Sequence, residues 1–205
     1  MSDAATYLGI ALGVSGAVVA WRQYRRAQAW RAGDLASSLM SRLTSDEELA
    51  FACHVLDWGV GPVIVPTRYR ALLESESSEP KKSPAQRGEI MQLNMKMLAI
   101  AMRPDLVFST KESPDGLVYR YCFDKFFGHL TEIYRLLKAG QLDAADLHGL
   151  RYWLKRIAKY EYPPDGVRGE EVFQPFLDFE PFGYRPVMLL GQELGVIGWT
   201  IGRNS

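Results

Sequence analysis

Three histidines and their neighbours are the first side chains to consider for catalysis. His54 and Asp57 stand three residues apart in a segment with helical spacing, where the carboxylate could orient the imidazole as a general base. The sequence offers no nucleophile near this pair, and a polar pair beside Trp58 is the simpler interpretation. His129 and His148 are interpreted as hydrogen-bonded histidines of the core or the surface.

Short motifs that carry a known chemistry are absent from the sequence. It contains no His-Glu-x-x-His, paired Cys-x-x-Cys, Gly-x4-Gly-Lys, Gly-x-Gly-x-x-Gly or Gly-x-Ser-x-Gly segment. Metal binding, ATP use and serine hydrolysis therefore have no positive support. We expect a protein that is not an enzyme, with no cofactor and no metal. Arg120 and Asp124, four residues apart, are predicted to form an ion pair on one helix.

The two cysteines, Cys53 and Cys122, are far apart in the sequence and lie within apolar helical patterns. Buried, unpaired thiols are typical of a protein in a reducing compartment. They agree with a body that faces the cytoplasm.

The longest uncharged stretch lies near the N-terminus, from residue 4 to residue 21. Its eighteen residues would form a helix about 27 Å long, close to the bilayer's hydrocarbon core of about 30 Å. Aromatic and basic residues suited to the membrane interface follow: Trp21, Arg22, Tyr24, Arg25 and Arg26. Because arginines flank a span on its cytoplasmic side, we predict a single-pass protein of the inner membrane with its N-terminus outside.

Three alternatives to this span stay open. A cleaved signal peptide would carry its positive charge before the apolar stretch, whereas here the charge follows it. A helix that lies flat in the interface needs a polar face, and this stretch is apolar on every face. A helix buried in a soluble core is the third alternative.

Small residues recur every four positions within the predicted span: Ala5, Gly9, Gly13 and Ala17. Such a stripe lets two helices approach closely in lipid. It predicts a homo-oligomer held together by helix packing, although Gly and Ala are frequent in membrane helices that have no such role.

The charge balance argues against a general nucleic-acid-binding protein. The 205 residues include 24 basic and 24 acidic side chains. Without Asp3 and the arginines 22, 25, 26 and 31, the chain carries 20 basic and 23 acidic residues, so its body is mildly acidic. The expected partners are the lipid bilayer and a cytosolic protein, with no nucleic acid.

The segment after the span is predicted to be mainly α-helical. Residues 22–44 continue the first helix as a juxtamembrane extension, and residues 45–205 form a cytoplasmic helical bundle. A capping box of Ser45 and Glu48 begins the second helix, which ends near Trp58. The juxtamembrane extension has an apolar stripe for packing on the body: Trp30, Leu35, Leu39 and Leu43.

Two later helices are predicted to form an antiparallel hairpin at the centre of the fold. The first ends at Gly140 and the second is capped by Asp143, so the connection is short. The predicted core consists of Trp58, Phe123, Phe126, Phe127, Leu130, Tyr134, Leu137, Leu150, Trp153, Leu154 and Ile157.

Shorter segments complete the expected bundle. Residues 63–65 and 117–121 are predicted to pair as a two-stranded element, and the methionine-rich residues 90–102 to form a helix. Residues 74–88 form a polar, mobile loop. For the apolar segment 187–202, packing on the bundle, resting on the membrane surface and a re-entrant or spanning role stay open.

The order of several short motifs resembles a family of small bacterial single-pass membrane proteins of unknown function. After the span and its arginines come Leu-Asp-Trp at 56–58, Phe-Asp-x-Phe-Phe at 123–127, Leu-Leu-Lys-x-Gly at 136–140 and Tyr-Trp at 152–153. The resemblance implies an anchored helical domain and supplies no activity. More distantly, the arrangement is similar to membrane-anchored accessory proteins of bacterial antiviral systems, some of which form pores.

Two functions from different classes follow from these observations. The first is a non-enzymatic, membrane-anchored module that self-associates or holds a partner at the bilayer. The second is an oligomeric, pore-like effector that perturbs the membrane, with a role in antiviral defence. An enzyme of unrecognised type is a third interpretation.

Overall fold

A computed structural model describes residues 2–74, 87–106, 113–162 and 166–196, with side chains described from Gly13 onward. Within these ranges the protein is mainly helical, with eight α-helices and two short two-stranded sheets. Most of the predicted loop at 74–88 and the end of the apolar segment 187–202 lie outside the described residues.

The helices and strands follow one another in a simple order. The helices are α1 (Ser2–Ser45), α2 (Glu47–Trp58), α3 (Arg70–Leu73), α4 (Met95–Ala101), α5 (Pro114–Lys138), α6 (Leu150–Lys159), α7 (Gly169–Asp178) and α8 (Arg185–Glu193). The strands are β1 (Gly61–Ile64), β2 (Ile90–Leu93), β3 (Glu161–Tyr162) and β4 (Val167–Arg168). Short 3-10 turns cover Thr67–Tyr69, Ala144–Leu147 and Glu180–Phe182.

Helix α1 packs on the body with one face of its last third. Ala36, Leu39 and Leu43 are buried at the three- and four-residue spacing of a helical stripe. Trp30, predicted to belong to the same stripe, is 74% exposed. The nine residues from Trp30 to Leu39 make two and a half helical turns, so the two side chains point in opposite directions.

The junction between α1 and α2 differs from the predicted capping box. Ser45 is the last residue of α1, and Asp46 caps α2 instead. The carboxylate of Asp46 accepts hydrogen bonds from the main-chain N–H groups of Glu48 and Leu49 at 3.1 and 3.2 Å. An aspartate satisfies the free N–H groups of a helix start as well as a serine does, so the prediction was wrong by one position.

The first strand of the predicted two-stranded element does form, but it pairs with a different segment from the one predicted. β1 pairs antiparallel with β2, so that Val63 faces Met91 in the register. Residues 90–93, predicted as the start of a helix, are therefore a strand, and α4 begins only after Asn94. The side chain of Asn94 accepts from the main-chain N–H groups of Lys96 and Met97, which makes it the cap.

Residues 117–121, predicted as the second strand, belong to α5. Pro114 occupies the first turn of this helix, where its missing N–H costs no hydrogen bond. Leu117, Val118 and Tyr119 are buried together with the aromatic residues that follow. The apolar face of α5 thus begins at the residues predicted to be a strand.

Helix α5 is the centre of the fold, although not as one arm of a hairpin with α6. It packs against α2, α4 and α8, whereas α6 packs mainly on α7. The connection from α5 to α6 spans residues 139–149 and contains a 3-10 turn, with Asp143 capping that turn by accepting from Ala145 N–H at 3.1 Å. The prediction of a short connection was wrong because α6 begins seven residues beyond its expected cap.

The predicted core residues differ in their burial. Seven of them are fully buried: Phe123, Phe126, Phe127, Leu130, Leu150, Leu154 and Ile157. Tyr134, Leu137 and Trp153 are half-buried against the core. Trp58 is 62% exposed, because it stands two residues after Leu56 and therefore points away from the face that α2 buries.

Aromatic rings fill the space between α5, α7 and α8. Phe127 contacts Phe123, Phe173, Phe176 and Tyr184, with ring centroids 5.7 to 5.9 Å apart. These tilted and edge-on contacts add to the burial of large apolar surfaces. The cluster connects the central helix to the C-terminal part of the chain.

Four phenylalanines at three-residue spacing, Phe173, Phe176, Phe179 and Phe182, do not share one helix. Phe173 and Phe176 are buried on α7, whereas Phe179 and Phe182 lie at the rim around the next 3-10 turn. The described part of the segment 187–202 packs on the bundle, because Val187, Met188 and Leu190 of α8 are buried.

Replacing Phe127 with alanine is expected to lower the free energy of unfolding by about 3–5 kcal/mol, because it leaves a cavity among four aromatic rings. Phe179→Ala, at a ring that is 36% exposed, is the control and should cost less than about 1 kcal/mol. Chemical denaturation of both variants in mild detergent tests this. Equal losses would contradict the placement of Phe127 at the centre.

Candidate functional site

The described part of α1 before Tyr24 projects from the body, whereas farther along the helix the turn that follows α5 lies beside it. From Gly13 to Arg31 its side chains are exposed. The large apolar residues before Arg22, which are Val14, Val18, Val19 and Trp21, are between 45% and 60% exposed. A helix that packs against nothing is rarely stable in water by itself. We therefore expect another molecule to cover these exposed apolar side chains.

The apolar residues of the projecting segment are distributed around the whole helix. Successive residues are rotated by about 100°, so Val14, Val19 and Ala17 point in three different directions. Residues 13–21 carry no charge. The segment therefore has no polar face that water could solvate while the other face binds protein.

In the part of the chain whose side chains are described, no helix is both long enough and apolar enough to span a bilayer. The first nine residues of the predicted span, 4–12, lie outside that part.

Aromatic and basic side chains follow the apolar segment. The guanidinium of Arg25 lies over the ring of Trp21, 5.3 Å from its centroid. One helical turn farther on, the hydroxyl of Tyr24 accepts a hydrogen bond from the side chain of Gln28 at 3.0 Å. Arg22 and Arg26 are exposed beside them. We call Trp21, Arg22, Tyr24, Arg25 and Arg26 the basic collar.

The described part of the small-residue stripe, Gly13 and Ala17, is accessible to a neighbouring helix. A Cβ atom added to Gly13 would meet no atom within 4 Å, and Ala17 is exposed. The other two residues of the stripe, Ala5 and Gly9, lie outside the described side chains.

Contacts along α1 and α5 show which end of the body lies nearest the collar. Lys125 forms an ion pair with Asp46 at 2.7 Å, and His129 bonds the main-chain oxygen of Leu39 at 3.0 Å. Later residues of α5 thus lie beside earlier residues of α1, so the two helices run in opposite directions. The turn at 140–146, which follows α5, lies against α1 between Tyr24 and Leu35.

A cleft of about 830 Å³ separates α1 from this turn. Tyr24, Arg25, Gln28 and Arg31 line it on the α1 side, together with Ala29, Ala32 and Leu35. The turn contributes Gln141, Asp143 and Asp146, with Gly140, Leu142 and Ala145. We call this space the collar cleft. It lies between the basic collar and the body.

His129 fixes the position of α1 on the body. It is buried, and its Nε2 bonds the main-chain oxygen of Leu39, while Nδ1 lies 3.8 Å from the carboxylate of Glu132. Burial lowers the pKa of His129 below its ordinary value of 6.5, with the nearby Arg42 acting in the same direction. The neutral imidazole is therefore the form that fits between α1 and α5.

A buried carboxylate lies at the start of α2, and sequence reasoning assigned it a different role. Glu48 is 3% exposed and accepts a hydrogen bond from Tyr69 at 2.7 Å. Two cations complete its surroundings, Arg68 at 2.9 Å and Lys125 at 2.5 Å. Since every partner neutralises or hydrogen-bonds the carboxylate, this group connects α2, α5 and the turn after β1.

His54 and Asp57, predicted to act as a pair, contact other residues in the structure. The Oδ1 atom of Asp57 accepts from the hydroxyl of Tyr152 at 2.5 Å, and its main-chain oxygen accepts from Arg156. The ring of His54 lies 6.2 Å from that of Trp58. Asp57 therefore joins α2 to α6 instead of orienting an imidazole.

Arg120 and Asp124, predicted to pair with each other, each have other partners. Arg120 donates to the main-chain oxygens of Ala101 and Arg103 at 2.9 and 3.1 Å, and its guanidinium lies 4.3 Å from the ring centroid of Phe176. Asp124 accepts from the hydroxyl of Tyr184 at 3.3 Å. Both residues connect α5 to neighbouring elements.

The two cysteines are buried and unpaired. Burial raises the pKa of Cys53 to about 12 and raises that of Cys122 as well, so both are thiols rather than reactive thiolates near neutral pH. Among the described residues, no group of three or more His, Cys, Asp or Glu side chains is arranged to hold a metal ion.

Comparisons with known proteins found no matching family model, no matching curated protein and no matching solved structure.

The stability of the body is expected to fall as the pH drops below about 6.5, the ordinary pKa of histidine. Because the pKa of His129 is lowered in the folded state, the unfolded chain takes up the proton first. The stability that the neutral ring contributes is complete above that pH and is lost as the pH falls toward the lowered value. Denaturation midpoints at pH 7.5 and pH 5.5 measure this loss.

His129→Gln removes the titrating ring but keeps an N–H that can donate to Leu39, so its loss of stability between the two pH values should be smaller than that of the wild type. His148→Gln, at an exposed histidine, is the matched control and should behave like the wild type. Identical pH profiles for the wild type and His129→Gln would show that His129 is not the group responsible.

Proposed function

We propose that this protein is a non-enzymatic interaction module anchored in the bacterial inner membrane. Residues 4–21 span the bilayer, the N-terminus lies outside and the helical body lies in the cytoplasm. The observation that supports this proposal most is the exposed, apolar, uncharged part of α1 that projects from a well-packed body.

The hydrocarbon of a lipid bilayer can bury a helix that has apolar side chains on every side. A single protein partner would cover one face of residues 13–21 and leave Val14 or Val19 in water, whereas hydrocarbon surrounds the helix completely. The basic collar follows at the position where tryptophan and arginine stabilise a membrane-spanning helix at its interface.

The distance between the span and the body agrees with this placement. Among the described side chains of α1 the first buried one is Ala36, fifteen residues after Trp21, which corresponds to about 22 Å along the helix. The cleft beside the turn at 140–146 reaches back to Tyr24, about 4.5 Å beyond Trp21. The headgroup region on one side of a bilayer is about 5–7 Å thick. The body therefore fits beside the membrane without entering the hydrocarbon core.

The body also offers an exposed apolar surface that suits a protein partner. Trp58, Val60 and Ile64 follow one another along the turn from α2 into β1 and are between 42% and 70% exposed. A cleft of about 490 Å³ between α2 and β1 adjoins Ile64. Clustered apolar side chains of this kind often mark an interface.

Self-association through the small-residue stripe belongs to the same proposal. Gly13 and Ala17 are open to a neighbouring helix, and close approach of two backbones at such residues is favourable in lipid. Two copies packed in this way would place two bodies side by side on the membrane.

Adding charge to the projecting helix is expected to release the protein from the membrane. Each lysine at the centre of a span costs about 2.5–3.5 kcal/mol, so Leu12→Lys with Val14→Lys should abolish insertion. Ser37→Lys with Ser38→Lys adds the same charge to exposed positions of the same helix and should leave insertion unchanged. The fraction in the pellet after alkaline carbonate extraction is the measurement. Recovery of the wild type in the supernatant would contradict the proposal.

The orientation is tested with reporters fused to the C-terminus. A fluorescent protein that matures only in the cytoplasm should be active, and a phosphatase that needs the periplasm should be inactive. The reverse pattern would show that the body lies on the other side of the membrane.

The open stripe also favours a second candidate function, an oligomeric effector that makes the membrane leaky. In that case induced expression should collapse the membrane potential, and Gly9→Leu with Gly13→Leu should restore it by keeping the helices apart. An unchanged potential, together with a cytosolic protein that binds the surface around Trp58, would favour the interaction module.

A further inference from the structure

The collar cleft has walls of opposite charge. Arg25 and Arg31 project from α1, whereas Asp143 and Asp146 belong to the turn on the other side. In the described part of the chain, no ion pair joins the arginines of one wall to the aspartates of the other; the nearby pairs are Arg42 with Glu132 and Lys138 with Glu193. The cleft therefore presents separated positive and negative charges to whatever enters it.

Both walls are held in place by the fold. α1 is a continuous helix, and Leu39 and Leu43 fix its position by burial in the body. The turn is fixed by the buried side chains of Leu142 and Leu147 and by the capping hydrogen bond of Asp143 to Ala145 N–H. A ligand would find the backbone of both walls already in position, which lowers the entropy cost of binding.

With residues 4–21 across the bilayer, the end of the collar cleft nearest to the span lies within the lipid headgroup layer. Counted from Trp21, Arg25 lies about 6 Å and Arg31 about 15 Å farther from the span. The headgroup layer is about 5–7 Å thick, so the backbone of Tyr24 and Arg25 falls within it and that of Arg31 lies about 8–10 Å beyond it. This step rests on the proposed function, because it takes residues 4–21 to span the bilayer.

We propose that the collar cleft binds the zwitterionic headgroup of a phospholipid that carries a primary ammonium group, as in phosphatidylethanolamine. The phosphate lies near Arg25, where a guanidinium donates charge-assisted hydrogen bonds to phosphate oxygens. The ammonium lies near Asp143 and Asp146, whose carboxylates accept its hydrogen bonds.

The same charges disfavour other common headgroups. A purely anionic headgroup such as phosphatidylglycerol gains from the arginines but meets two aspartates. A quaternary ammonium has no N–H to donate and is recognised by several aromatic faces, whereas the described lining has one aromatic ring, that of Tyr24. The cleft therefore selects a primary ammonium next to a phosphodiester.

Lipid binding to the full chain, purified in detergent, tests the proposal. Native mass spectrometry with phosphatidylethanolamine and phosphatidylglycerol of identical acyl chains should give a dissociation constant about tenfold lower for phosphatidylethanolamine. Arg25→Gln and Asp146→Asn should each remove most of that preference. Arg135→Gln and Asp34→Asn make the same charge changes at exposed positions outside both the cleft and the basic collar and should keep it.

Equal affinity for the two lipids, or an equal loss of preference in the control variants, would overturn the proposal. Soluble glycerophosphoethanolamine competing as strongly as the intact lipid would also overturn it, since the ligand would then be a free phosphodiester.

Flotation of the wild type with vesicles distinguishes failure of the cleft proposal from failure of the proposed membrane anchor. A protein that floats without a headgroup preference refutes the cleft alone, and one that does not float refutes the membrane anchor and the cleft together.

Discussion

The continuity of α1 is the constraint on which the rest of the molecule depends. The same 44-residue helix has exposed side chains from Gly13 to Arg31 and is buried on one side at its end. A helix is stiff over this length, so the position of its free part follows directly from the contacts of its bound part. The burial of Ala36, Leu39 and Leu43 therefore decides where the basic collar and the collar cleft lie.

Polar groups at the base of α1 make this attachment specific. His129 bonds the main chain of Leu39, and Lys125 links Asp46 to the buried carboxylate of Glu48. A buried charge is costly unless it is fully paired, so these groups tolerate only one arrangement of α1, α2 and α5. The apolar contacts supply most of the stabilisation, and the polar contacts restrict how the helices can pack.

The two proposals depend on one property of α1, a change of environment along a single helix. Residues 13–21 are exposed and uncharged, the next ten residues are exposed and include aromatic and basic side chains, and the last third packs on the body with one face. The turn at 140–146 reaches back along α1 to the middle of these three regions. Placed at a bilayer, this arrangement brings the charges of the turn to the surface of the membrane, where headgroups are the nearest ligands.

The sequence by itself determined the features that depend on local composition and periodicity. The uncharged stretch at 4–21, the arginines after it, the helical character of the body and the apolar face of α5 could all be recognised from residue types and their spacing. Helical and apolar patterns are local properties, so the fold class was predictable.

Only the tertiary structure decided which elements meet. Strand β1 pairs with residues 90–93 instead of 117–121, α5 packs on α2 and α8 instead of forming a hairpin with α6, and Trp58 points into solvent. Asp57, Glu48 and Arg120 bind partners 95, 21 and 19 residues away, and such distant partners have no signature in a local pattern. The collar cleft is of the same kind, since it joins α1 to a turn more than a hundred residues later. The physical reason is that burial and charge pairing depend on which surfaces folding brings together, whereas the periodicity of a segment describes only the surface of that segment.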